Sequence, residues 1–152
     1  MLLRNEIKPG DDKNVFEILS STNFFRTDEI EVAVSLLDPN EYNFVFLEEN
    51  DKTIGFTCYG LIPCTLHSFD LYWIAVHQDY QGKGYGKILL QETEKLVEEA
   101  KGKNVYIETS SQPLYLSTRK FYEKQGYVLE AVIKEFYNDN DDKCIYSKRL
   151  FK

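Results

Sequence analysis

Three glycines at alternate positions, within Gln81-Gly82-Lys83-Gly84-Tyr85-Gly86-Lys87, separate an apolar run ending at Val76 from an amphipathic run beginning at Ile88. A strand that passes into a helix through such a turn lets the main chain approach a ligand with no Cβ atoms in the way. Successive N–H groups then converge on the positive end of the helix dipole, which makes a cradle for an anion such as a phosphate. Lys83 and Lys87 add positive charge beside it. The pattern is not the G-x-x-x-x-G-K-[ST] loop, and the dinucleotide fingerprint G-x-G-x-x-G fails because residue 87 is Lys.

Composition narrows the setting. A chain of 152 residues fits a single domain spanning residues 1–152, and 43% hydrophobic residues supply a core that excludes disorder over most of its length. The 25 acidic residues outnumber the 18 Lys and Arg, the wrong balance for tracking a nucleic-acid backbone, so a cationic or neutral partner is expected. No run of about eighteen apolar residues occurs, and Met1-Leu2-Leu3-Arg4-Asn5-Glu6 lacks a signal-peptide core, so a soluble cytoplasmic protein without a membrane partner is expected. Cys58, Cys64 and Cys144 form no C-x-x-C pair, and reduced thiols are expected. His67 and His77 belong to no metal-ligand spacing; no metal is expected, and His77 reads as a solvated loop residue.

Hydrophobic periodicity predicts the order βααβββαβαββ. A short strand over 2–7 precedes a helix with Val15, Phe16, Ile18 and Leu19, and a second helix opens with Thr27 as N-cap. Strands are expected at 43–48, 53–61 and 69–76, with a hairpin turn at Glu49-Asn50-Asp51-Lys52. The helix after the glycine turn closes with Gly102 as its C′ residue, followed by a strand at 105–109. A helix from near Pro113 to Gly126 then leads to a hairpin running from Tyr127 to Phe151 and turning through Asn138-Asp139-Asn140-Asp141-Asp142. The fold class is α/β (α+β): a mixed, mostly antiparallel sheet of about seven strands with one parallel pair, 69–76 beside 105–109, joined by a crossover helix.

Two blocks carry a resemblance. Ile74-Ala75-Val76, a short loop, and Gln81-x-x-Gly84-x-Gly86 opening a helix resemble the acetyl-CoA motif (Q/R-x-x-G-x-G/A) of the GNAT superfamily of N-acetyltransferases. Arg119-Lys120-Phe121-Tyr122-Glu123-Lys124-Gln125-Gly126-Tyr127 is similar to the family's F-Y-x-x-x-G-F/Y segment, and the element order matches over nearly the whole chain. The resemblance implies that the central parallel strands splay apart, with the pantetheine arm of acetyl-CoA pairing with backbone groups of Ile74, Ala75 and Val76. It places the pyrophosphate on the N–H groups of Gly82, Lys83, Gly84, Tyr85, Gly86 and Lys87, with Gln81 ordering the turn. Acetyl-CoA would be a co-substrate, and the acceptor an amine, cationic before it reacts.

The same resemblance implies that Tyr122 protonates the departing thiolate, as its phenol stays protonated at neutral pH. A core aromatic is the alternative, and for Tyr115 packing is the expected role. Two carboxylates compete as the base that takes the amine proton, directly or through water. Asp70 lies six residues before Val76, where some members carry a base glutamate, and Glu108 lies where the N-terminal alanine acetyltransferases of ribosomal proteins carry theirs. Alternation puts Tyr106 and Glu108 on one face of their strand and Val105, Ile107 and Thr109 on the other. Lys134-Glu135-Phe136-Tyr137 faintly resembles the same branch. The acidic turn at 138–142 reads as a solvated turn, with attraction of a cationic acceptor as the second reading. A non-catalytic acyl-CoA-binding or sensing module, a nucleotide-binding interaction domain and a homodimer are compatible with the same residues.

Overall fold

The computed structural model describes residues 1–150. The chain runs β1 (Leu2–Arg4), α1 (Asp11–Thr22), α2 (Thr27–Ser35), β2 (Asn43–Glu49), β3 (Lys52–Leu61), β4 (Ser68–Val76), α3 (Tyr85–Glu99), β5 (Asn104–Ser110), α4 (Leu116–Lys124), β6 (Val128–Asn138) and β7 (Asp141–Arg149). The seven strands form one mixed sheet in the order β1-β2-β3-β4-β5-β7-β6. This is the expected element order, with β4 and β5 as the parallel pair. The expected end of the last hairpin at Phe151 lies outside the described residues.

Contacts divide the chain into two compact units, one of Met1–Gly60 and Tyr72–Leu96, the other of Leu61–Leu71 and Val97 onward. In the first, Val15, Ile18 and Leu19 sit at helical spacing on α1 and pack with Ile30 and Ala33 of α2. Their partners are Phe44 and Phe46 of β2 and Phe56 and Cys58 of β3. The opposite face of β3 meets α3: the Thr57 hydroxyl lies 2.7 Å from that of Thr93, which donates to the Leu89 carbonyl at 2.8 Å. Helices on both faces explain why Phe44-Val45-Phe46-Leu47 is apolar without alternation. The β2–β3 turn is tight because Asn50 and Asp51 both take left-handed φ, at 51° and 65°.

Caps depart from expectation twice. Thr27 is the first residue of α2 rather than its N-cap; Arg26 takes that place, and its N–H donates to the Glu29 carboxylate at 2.9 Å. At the end of α3 the left-handed residue is Lys101, at φ 69°, so Gly102 follows the C′ position instead of filling it. Its N–H donates to Val97 O at 2.8 Å and that of Lys101 to Glu98 O at 2.9 Å, the paired bonds of a Schellman end. Glycine is required at 102 by crowding, since a Cβ there would lie 2.3 Å from Val97 Cγ1 and 2.8 Å from the Phe69 ring. Gly102→Ala is therefore expected to destabilise the protein by about 1–3 kcal/mol, the usual cost of overpacking, measured by denaturant unfolding.

In the second unit, Val105 and Ile107 of β5 and Cys144 and Tyr146 of β7 are buried together with Phe69, Leu71, Tyr122 and Tyr127. The last hairpin is tighter than expected: its turn is Asp139-Asn140, and Asp141 and Asp142 belong to β7. Asp141 accepts from the Ser110 hydroxyl, and Asp142 accepts from the Glu135 N–H at 2.9 Å.

Candidate active site

The glycine turn has the open geometry its sequence predicts. Gly82 and Gly84 lie at φ 76° and 87°, and a Cβ added at either would meet nothing within 4 Å. After Gln81, whose N–H donates to the Gln78 carbonyl at 3.4 Å, the next N–H of the turn and helix start to find an acceptor is that of Ile88, which donates to the Gly84 carbonyl at 3.2 Å. The N–H groups of Gly82, Lys83, Gly84, Tyr85, Gly86 and Lys87 have no acceptor among the described residues. Six donors left open at the N-terminus of a 15-residue helix form an anion cradle. These residues fit the pyrophosphate of a coenzyme A molecule.

Side chains around the turn hold it in place. Gln81 Nε2 donates to the Val76 carbonyl at 3.0 Å, tying the end of β4 to the start of the cradle. Lys83 lies over the Tyr80 ring at 5.6 Å. Tyr85 turns its hydroxyl onto Glu49 at 2.8 Å, so only its backbone faces the cradle. His77 differs from expectation: it is buried, and its Nδ1 accepts the Asp79 N–H at 3.1 Å, capping the short 3-10 turn before Gln81. Ile74, Ala75 and Val76 lie at the end of β4, beyond the β4–β5 ladder, which stops at the Leu71–Ile107 pair.

In the second unit the two competing carboxylates share one sheet face. Asp70 stands beside Tyr106 in the β4–β5 register, and Glu108 is two residues further along β5 on the same side. Asp70 is half-buried, and burial, reinforced by the Glu108 charge and opposed by Lys143, pushes its carboxyl up to about 6. No hydrogen bond to the Asp70 carboxylate is present among the described residues. Glu108 is engaged: its Oε1 lies 3.0 Å from Lys143 Nζ. That lysine also sits 4.1 Å from the centre of the Phe136 ring. Tyr137 follows on the same hairpin, its phenol pushed up to about 12 by burial and then by Glu108.

Tyr122 occupies the other side of β5. Its ring packs against those of Tyr127 and Tyr146, with centroids 6.2 and 6.1 Å away, and Tyr146 is registered with Ile107. Burial moves its phenol well above the usual tyrosine range, so the hydroxyl remains a donor throughout the neutral region. It makes no hydrogen bond among the described residues. Tyr122 and the carboxylates thus approach β5 from opposite faces.

Sequence reasoning passed over Lys143, and it met Arg119 only as the first residue of the second block, with no role of its own. Arg119 donates to the Ser110 and Gln112 carbonyls at 2.7 and 3.0 Å, holding the chain where it leaves β5. The one sequence signal for Lys143 is a cation directly after five acidic or amide residues. Its partner Glu108 is found only through strand register, which sets Lys143 opposite Ser110.

The acetyltransferase (GNAT) family model matches residues 11–127. A solved GNAT-family protein from Desulfovibrio desulfuricans is 39% identical, superposes with a TM-score of 0.96, and the match covers 99% of each chain. An aminoglycoside 6′-N-acetyltransferase complexed with coenzyme A shares the fold at 18% identity and TM-score 0.82, covering 100% of this chain and 98% of that one. The ribosomal-protein-S18-alanine N-acetyltransferase of Escherichia coli shares it at 19% identity and TM-score 0.82, covering 99% and 96%. No curated protein sequence matches. With the family model spanning most of the chain and a close structural relative matching end to end, this chain belongs to the acetyltransferase (GNAT) family and is an acyltransferase.

Proposed function

We propose that residues 1–152 act as one N-acetyltransferase domain that moves the acetyl group of acetyl-CoA directly onto a primary amine of a small molecule or peptide. The observation that carries this reading is the set of open N–H donors from Gly82 to Lys87 in a chain of this family. Acetyl-CoA, when bound, supplies the acetyl group as a thioester. The chain's own residues do the rest. The cradle binds the diphosphate, Lys83 and Lys87 add charge near it, and the backbone of Ile74, Ala75 and Val76, beyond the β4–β5 ladder, aligns the pantetheine arm.

Asp70 is the better base of the two carboxylates. Glu108 is neutralised by Lys143, whereas Asp70 has no ionic partner of its own and a carboxyl raised to about 6, close to the working range of a general base. Tyr122 supplies the proton to the leaving thiolate. The reading predicts selective calorimetric binding of acetyl-CoA and coenzyme A over ATP and NAD. Equal or tighter binding of ATP or NAD would support the nucleotide-binding alternative.

A further inference from the structure

Asp70, Glu108 and Lys143 come from β4, β5 and β7, and only one of the two negative charges is compensated by contact. Lys143 is fixed from two sides, by Glu108 at 3.0 Å and by the Phe136 ring at 4.1 Å. Its side chain is 14% exposed against 48% for Glu108, so the lysine is the anchored member of the pair. The charged groups facing Asp70 are Glu108 and Lys143, and Tyr137 of β6 stands beside Glu108.

We propose that Lys143 is a positioning residue: by holding Glu108 in an ion pair it withdraws that carboxylate from proton transfer and leaves Asp70 as the one uncompensated carboxylate for the acceptor ammonium. The inference rests on the amine-acetyltransfer reading. In the step concerned, the N–H bond of the acceptor ammonium breaks and an O–H bond forms on Asp70. The products are a neutral amine, with its lone pair free to attack, and a neutral carboxylic acid. Lys143 takes no part in bond making. It sets which carboxylate receives the proton and where that carboxylate titrates.

The test titrates the Asp70 carboxyl by NMR in the wild type, Lys143→Met, Lys143→Arg and Glu108→Gln, alongside the pH profile of kcat/KM. Methionine keeps the stem over Phe136 while removing the charge. Lys143→Met is expected to raise the Asp70 pKa by about one unit, lowering kcat/KM about tenfold on the acidic limb and about twofold near pH 7. Lys143→Arg should restore the wild-type limb, and Glu108→Gln should move it to lower pH. An Asp70 titration unmoved in Lys143→Met overturns the proposal. So does loss of turnover at every pH in Glu108→Gln, which would make Glu108 the base. The carboxyl titration needs no acceptor, so a wild type that acetylates no amine counts against the acetyltransfer reading, while the NMR shift still decides the coupling of Lys143 to Asp70.

Discussion

Gly84→Asp is expected to weaken acetyl-CoA binding at least a hundredfold in a protein that still folds. Gly84 is exposed at φ 87° with nothing near its Cβ position, so the site has room for a side chain. Aspartate is among the residues that tolerate left-handed φ, at a cost of about 1–2 kcal/mol. The added carboxylate would occupy the space onto which the open N–H groups converge. Two like charges about 4 Å apart near a protein surface repel by about 4 kcal/mol, enough for a loss of two to three orders of magnitude. Gly84→Asn carries the same shape and backbone strain without the charge and should lose distinctly less. Calorimetry with acetyl-CoA and a thermal melt of each variant separate binding from folding. A folded Gly84→Asp protein with wild-type affinity would remove the glycine turn from the binding site.

Tyr122→Phe should lower kcat about a hundredfold or more, the range over which a general acid contributes, with acetyl-CoA affinity changed less than about twofold. Phenylalanine preserves the ring that packs against Tyr127 and Tyr146, so the aromatic cluster survives. Only the hydroxyl is lost, and it has no hydrogen-bond partner among the described residues to orphan. Because burial keeps the phenol protonated well past neutrality, the wild type should show no loss of activity from Tyr122 ionisation on the alkaline side. Steady-state kinetics combined with coenzyme A titration gives both numbers. Unchanged turnover would reduce Tyr122 to a core aromatic.

The cradle was legible because everything it needs is local: three glycines, a strand before and an amphipathic helix after. Element order was legible for the same reason, since period and turn chemistry act over a few residues. The ends of helices were less so. Gly102 invited a C′ assignment on conformational grounds, yet Lys101 takes the left-handed turn and Gly102 is small because Val97 and Phe69 leave no space. That constraint comes from packing, which no local pattern records.

The choice of base was illegible in principle. From the sequence both carboxylates are candidates, with Asp70 the shorter in reach by one methylene, and what sets them apart in the structure is an ion pair on Glu108 that follows from the β5–β7 register. The acidic run at 138–142 shows the reverse. Its sequence suggests free charge, but Asp141 and Asp142 accept hydrogen bonds that shape the hairpin.

The most direct measurement is to quantify released coenzyme A thiol and acetylated acceptor together, with the wild-type protein, acetyl-CoA and a panel of small amines and peptides bearing free α-amines. The account predicts amine-dependent thiol release matched one for one by N-acetylated product. Tight acetyl-CoA binding with neither thiol release nor acetylated amine from any member of the panel would contradict it.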